Sequence, residues 1–255
     1  HAQVTISFTE PKQTIEVSAA EFGLIQRVEV REGESVKANQ LLGELENRVL
    51  LEARRLAKQR AESTARIDSA RADLKLKQTH YDKLSPLLKE GHANASEIER
   101  AKSEYDRAVA AFRLSEEESA EAEIELAKIN AQLAQRQIRS PIDGTVIEIH
   151  RRPGEYLSNI DPKLATIVQL DELRVRFFPS TDSASRLKKG DKLPLRIENI
   201  NHDVTGIVEF VSPITDSQSG TVRVDLLIDN SKREYRSGMK SEIVTSVLQT
   251  RKDEP

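Results

Sequence analysis

The side chains that do most enzyme and metal chemistry are scarce in this sequence. There is no cysteine, which removes disulfides, thiol nucleophiles and cysteine-bound zinc. The five histidines, His1, His80, His92, His150 and His202, are scattered, with no helical i,i+4 pair to make a metal site, so each reads as a solvated or packing residue. Glu116, Glu117 and Glu118 set three carboxylates in a row, but successive residues fan out around a helix, and the run reads as a charged solvated face. No phosphate loop and no nucleophile paired with a base is found. Met239 is the only methionine, which argues against a metal relay built from thioethers. The expectation is a protein with no catalytic residue, no cofactor and no metal.

Composition limits the fold as well. Charged residues make up 32% of the 255 and aromatics 4%, so Ala and aliphatic side chains must do nearly all the burying, which favours thin elements over one thick core. Lys and Arg total 39 against 42 Asp and Glu, and this near balance gives no basic stripe for nucleic acid. No apolar run approaches the ~18 residues that would span a bilayer. The sequence begins at His1 rather than Met, as expected where a signal peptide or anchor precedes it.

Three textures follow one another. Residues 3–46 alternate short apolar runs with polar turns, as strands do. Residues 47–137 hold one proline and one glycine among dense Ala, Glu, Lys, Arg and Leu, which predicts helix. From 138 onward β-branched runs punctuated by Pro return.

The helical stretch has a heptad rhythm in each half. Seam positions in the first half are Val49, Ala53, Leu56, Arg60, Ser63, Ile67, Ala70, Leu74, Lys77, Tyr81, Leu84 and Leu88, nine of twelve apolar. The second half runs Ile98, Ala101, Tyr105, Ala108, Phe112, Ser115, Ser119, Ala122, Leu126, Ile129, Leu133 and Arg136, again nine of twelve. Between them Gly91 suits a left-handed helix stop, and Asn94 with Glu97 has the spacing of a capping box. One seam per half predicts an antiparallel hairpin over 47–137 with its tip at about 84–96 and arms on the order of 60 Å long.

The flanks of the hairpin repeat one another. Gly23 and Gly33 are separated by nine residues, and Glu34 and, two residues further, Val36 follow; Gly144, Gly154, Glu155 and Leu157 reproduce that register. Leu41–Leu45 then matches Leu164–Val168 after a two-residue insertion. A glycine at each turn is expected to supply positive φ where a strand reverses.

At these residues the chain resembles the two halves of a biotinyl/lipoyl-type β-sandwich, with the hairpin occupying the joint where carrier domains hold their cofactor lysine. No carrier tripeptide is present. The tail adds Lys188-Lys189-Gly190, Gly206-Ile207-Val208 running on to Ser212-Pro213, Thr221-Val222-Arg223-Val224 and Ser237-Gly238-Met239, which resemble an adaptor β-barrel, with Gly220 and Ser237 departing from the usual Arg and Pro. Over about residues 14–248 the chain resembles the HlyD-like periplasmic adaptor, or membrane fusion, proteins of tripartite efflux and secretion systems.

The resemblance implies a mixed α and β, elongated fold. Residues 14–46 and 138–170 would form the lipoyl-like sandwich, 47–137 the coiled-coil hairpin and 171–248 the barrel, with 249–255 a tail. Residues 1–13, with Val4–Phe8 as a strand, would be a remnant of a membrane-proximal domain. It implies a periplasmic location at the inner membrane, an inner-membrane transporter of the resistance-nodulation-division (RND) type ahead of an ABC transporter, a TolC-like outer-membrane channel, and a homo-oligomer of about six copies exporting drugs or other small molecules. The family's tip pattern falls on Lys83, Leu87 and Asn94, where Leu87 is kept and the others depart from Arg and Ser; these, with Gly91, are the expected channel-docking residues. The loop with Arg151, Arg152 and Glu155 is a candidate channel lining, and Gly23, Gly33, Gly144 and Gly154 are the expected structural turns. Two other readings stay open: a coiled-coil scaffold of the envelope, and a lipoyl or biotinyl carrier.

Overall fold

The computed structural model describes residues 4–89 and 94–244. In chain order it holds strands β1 (Val4–Ser18), β2 (Gly23–Val28), β3 (Ser35–Val36) and β4 (Leu41–Leu45), then helices α1 (Arg48–Ala61), α2 (Ala65–Lys89) and α3 (Ala95–Gln135). Strands β5 (Gln137–Arg139), β6 (Gly144–Ile149), β7 (Tyr156–Leu157) and β8 (Lys163–Phe177) follow, then the short α4 (Thr181–Ala184), β9 (Lys192–Ile197), β10 (Val204–Asp216), β11 (Thr221–Asp229) and β12 (Lys240–Val244). The chain divides into two compact units, His1–Leu45 with Gln137–Pro255, and Glu46–Arg136.

The β unit contains two apolar cores. One gathers side chains from both sequence repeats, among them Ile25, Val36, Leu42 and Leu45 from the first and Val146, Leu157, Leu164 and Ile167 from the second. Each fully buried Leu or Ile here stabilises by about 1.5–3 kcal/mol, so neither half can keep its core without the other. The pairing is reciprocal: β2 pairs with β7 through Gly23 and Leu157, and β3 pairs with β6 through Val36 and Gly144. Ile25 N–H donates to Glu155 O (2.8 Å) and Gly154 N–H to Ile25 O (2.9 Å), while Val146 N–H donates to Glu34 O (2.9 Å) and Gly33 N–H to Val146 O (2.7 Å). The second pair of bonds is the first with the repeats exchanged, so the sequence repeat is a structural two-fold.

The other core, with Val175, Phe177, Leu195, Leu226, Ile228 and Ile243, fills a ring of six strands in the order β1, β12, β9, β10, β11, β8, which β1 closes by pairing with β8. Closure leaves no unpaired sheet edge within the ring. Val4–Phe8, expected as a remnant of another domain, instead pairs with Lys240–Val244 as a strand of this ring. Strand β8 serves both cores, and its burial changes accordingly: Leu164–Val168 are buried without a break, then Leu173, Val175 and Phe177 alternate with partly exposed residues. The first stretch is covered on both faces and the second on one.

The helical unit is an antiparallel hairpin. In α3 and at its C-cap Arg136 all twelve expected seam positions are buried or partly buried, and in α2 Ile67, Ala70, Leu74, Lys77, Tyr81 and Leu84 follow the expected phase. The first arm is not one helix, however. It breaks at residues 62–64, and α1 keeps Ala53 on the seam but moves the positions on either side of it by one residue: Leu50, Ala53 and Ala57 pack on Leu126, Ile129 and Leu133, whereas Val49 is 83% and Leu56 50% exposed. The break coincides with Arg60 and Ser63, two polar residues in succession at expected seam positions, across a cleft from Ser115 and Ser119 on α3. With no apolar knob to hold phase, the helix stops, Ser63 N–H falls back to Arg60 O (3.2 Å), and Thr64 O accepts the first α2 bond from Asp68 N–H (2.9 Å). A cleft of about 440 Å³ lined by Arg60, Ser63, Ser115 and Ser119 marks the place.

Candidate functional site

The hairpin tip is built from the last turns of α2 and the first turn of α3. Pro86 lies inside α2, which continues to Lys89, so the proline does not end the helix even though it removes one N–H from the ladder. Lys83 is exposed on α2, Leu87 lies in its last turn, and Gly91 falls outside the described residues. Asn94 is the N-cap of α3; its side chain accepts from Ser96 N–H (3.2 Å) rather than from Glu97 N–H, the donor that the capping-box spacing predicts. Below the tip, Tyr81 and Tyr105 stack with ring centroids 6.0 Å apart and planes 6° from parallel. Next to them Lys77 reaches Glu104 across the arms (2.9 Å). Chiefly through that hydrogen bond, with Arg100 adding to it, the Glu104 carboxyl is held below its ordinary value. The tip is thus carried on a locally braced pair of helices, a feature visible in sequence only as two tyrosines on facing seams.

The four glycines split into two kinds. Gly33 and Gly154 have φ of +84° and +88°, and an added Cβ at either would meet nothing within 4 Å, so backbone conformation alone requires glycine. Gly23 and Gly144 differ from expectation: each starts a strand rather than making a turn. At Gly144 a Cβ would lie 2.6 Å from Val168 O, so that glycine is needed for close approach of two backbones.

The loop after β6 repeats the one after β2. Arg152 N–H donates to the Glu155 carboxylate (2.9 Å) as Arg31 N–H donates to Glu34 (3.0 Å). Glu155 therefore braces its own turn. Arg151 turns back to an ion pair with Asp161 and donates to His150 O (3.0 Å). Of the three charged residues grouped by sequence, only Arg152 offers a side chain with no partner among the described residues.

No reactive constellation forms among the described residues. Among the described residues no group of three His, Asp or Glu could hold a metal. His150 Nε2 contacts Thr166 Oγ1 (2.8 Å), His202 lies 3.4 Å from the Tyr235 hydroxyl, and His80 is exposed. Glu116, Glu117 and Glu118 are all exposed on α3. No helix among the described residues is long and apolar enough to cross a membrane.

A two-fold β-sandwich interrupted by a helical hairpin and continued by a closed β ring defines the periplasmic adaptor class. The model of the CzcB-like barrel-sandwich hybrid domain matches residues 13–168, and the chain belongs to this family of periplasmic adaptor, or membrane fusion, proteins, which are not catalysts. Among solved structures it is similar to MacA from Actinobacillus actinomycetemcomitans, with a TM-score of 0.77, 23% identity, and coverage of 94% of this chain and 77% of that one. An uncharacterised protein of Haemophilus influenzae is 23% identical over 241 residues, which cover 94% of this chain and 56% of the relative. Multidrug resistance protein MdtN of Escherichia coli is 25% identical over 198 residues, 68% of this chain and 57% of its own. The chain thus spans little more than half the length of the Haemophilus and Escherichia relatives it matches.

Proposed function

We propose that this protein couples an inner-membrane transporter to an outer-membrane channel in the periplasm, so that drugs or other small molecules leave the cell through a passage to which it contributes no chemistry. The single observation that carries the reading is the reciprocal pairing of the two β repeats on either side of the hairpin. It makes the hairpin an insertion at one joint of an intact sandwich, and it fills the place where a carrier domain would expose its lysine. The similarity to MdtN, named for multidrug resistance, supports export of small molecules. In this reading about six copies associate, an RND pump is preferred over an ABC transporter as the source of energy, and the inner membrane holds the assembly.

Docking to a TolC-like channel falls to Lys83, Leu87, Gly91 and Asn94. A lysine there keeps the charge but not the planar fork of arginine, so it grips carbonyls one bond at a time and suits a channel other than the common one. Arg152 is the residue of the 151–155 loop that would face the passage. Deleting residues 78–100 and closing the arms with a glycine turn is expected to abolish export in cells at unchanged protein level. Full export by that variant overturns tip docking, and a crosslink from Lys83 to a channel subunit supports it. Replacing Arg152 with Ala is expected to alter transport; unchanged transport at normal protein level removes the loop from the passage.

A further inference from the structure

We propose that a cavity in the β unit, between the strands that leave the sandwich and the loop joining β11 to β12, binds a small amphipathic anion. It measures about 330 Å³, near the small end of the ~300–1,000 Å³ usual for ligand sites. Its walls are mostly apolar, with Pro11, Ile147, Val168, Leu170 and Tyr235, and among the described residues its only charged members are Arg233 and Arg236.

The loop that forms one wall is fixed before any ligand arrives. Asn230, 2% exposed, donates from Nδ2 to Leu170 O (2.8 Å) and Tyr235 O (2.9 Å), and its Oδ1 accepts from Tyr235 N–H (2.9 Å). Arg233, held at φ +55°, reaches Asp171 (3.3 Å) and Thr145 Oγ1 (3.3 Å). A non-glycine residue kept in that region is strained, and the bonds around it over-determine the loop. Thr9 Oγ1 donates to Arg236 O (2.7 Å), which anchors the backbone of the second arginine.

The charges differ in availability. Arg233 is neutralised by Asp171, whereas the Arg236 guanidinium has no hydrogen bond or ion pair among the described residues. Glu234 and Asp229 are close enough to help burial raise the Tyr235 phenol above its ordinary value, yet neither lines the cavity. Apolar walls with one unpaired cation select a ligand with a compact apolar body and a single negative group. The volume excludes a two-tailed lipid and commits the site to a free small molecule. Nothing in this site depends on what the hairpin docks.

The probe is 1-naphthalenesulfonate, with neutral 1-naphthalenesulfonamide as its uncharged match, titrated into the purified full chain by calorimetry and saturation-transfer NMR. The sulfonate is expected to bind with a dissociation constant on the order of 0.1–1 mM, as its size allows. The sulfonamide and the Arg236→Gln variant are each expected to bind roughly tenfold more weakly, the loss of one charge-assisted bond. Ile147→Trp, which fills the cavity from its mouth, is expected to remove binding of both probes while circular dichroism stays unchanged. The proposal is overturned if the sulfonate does not bind at millimolar concentration. Equal binding of the two probes, full affinity in Arg236→Gln, or full affinity in a folded Ile147→Trp would overturn it as well.

Discussion

The two β repeats and the two helical arms are both pairs of like segments, but they keep their pairing differently. In the sandwich, Ile25 and Val146 make the same two backbone bonds with the repeats exchanged, to within 0.2 Å. In the hairpin, α3 holds one seam over its whole length while the facing arm breaks and changes phase. A strand that slips by one residue turns its apolar set to the wrong face, so strand register is held as a whole. A helix that slips rotates its seam, and three non-helical residues at 62–64 absorb the error. Exact symmetry is therefore enforced where hydrogen bonds set register, and defects collect where only side-chain packing does.

Substitutions can break that contrast, beginning with the largest effect. Gly144→Val forces a side chain against Val168 O and should cost about 3 kcal/mol or more, because backbone in a paired strand cannot retreat; urea unfolding followed by circular dichroism measures it. Ile129→Ala, in the small core at the base of the hairpin, should cost about 2 kcal/mol, while Val49→Ala should cost almost nothing. Equal losses in the same denaturation experiment would restore the unbroken heptad. Gly33→Ala and Gly154→Ala should each cost about 1 kcal/mol, equal within a few tenths, since both suffer only from positive φ. Unequal thermal shifts would show that the two-fold is not energetic.

The smallest effect is in pH. The Glu104 carboxyl is lowered from 4.5 by Lys77, so its contribution is fully present above about pH 4.5 and is lost as pH falls through the lower folded value. Helix content monitored from pH 6 to pH 3 should melt at lower temperature at the acid end, and Lys77→Gln should flatten that dependence.

Much of this was legible in the sequence. The glycine spacing carried the sandwich, and the apolar seam of α3 carried the continuous arm. The break in the other arm leaves only Arg60 and Ser63 in succession, opposite Ser115 and Ser119, as its mark in the sequence, and heptad counting averages over such a defect. Ring closure by Val4–Phe8 was illegible because strand pairing across more than 230 residues leaves no local mark. Gly144 reads in the sequence as a turn residue, since a close approach of two backbones depends on what lies across the sheet. At the tip, the residue types located a cap but not which N–H it would serve.

Strands β4 and β5 pair through Glu44 and Gln137, so the chain leaves the sandwich for the hairpin and returns to it at adjacent positions of one sheet. That geometry makes the joint a graft point. Removing seven residues from each arm, in register, would shorten the hairpin by about 10 Å and leave the sandwich closure untouched. The hairpin is in this sense a ruler whose length can be reset by evolution or by design, whole heptads at a time, to suit the distance that the proposed docking sets.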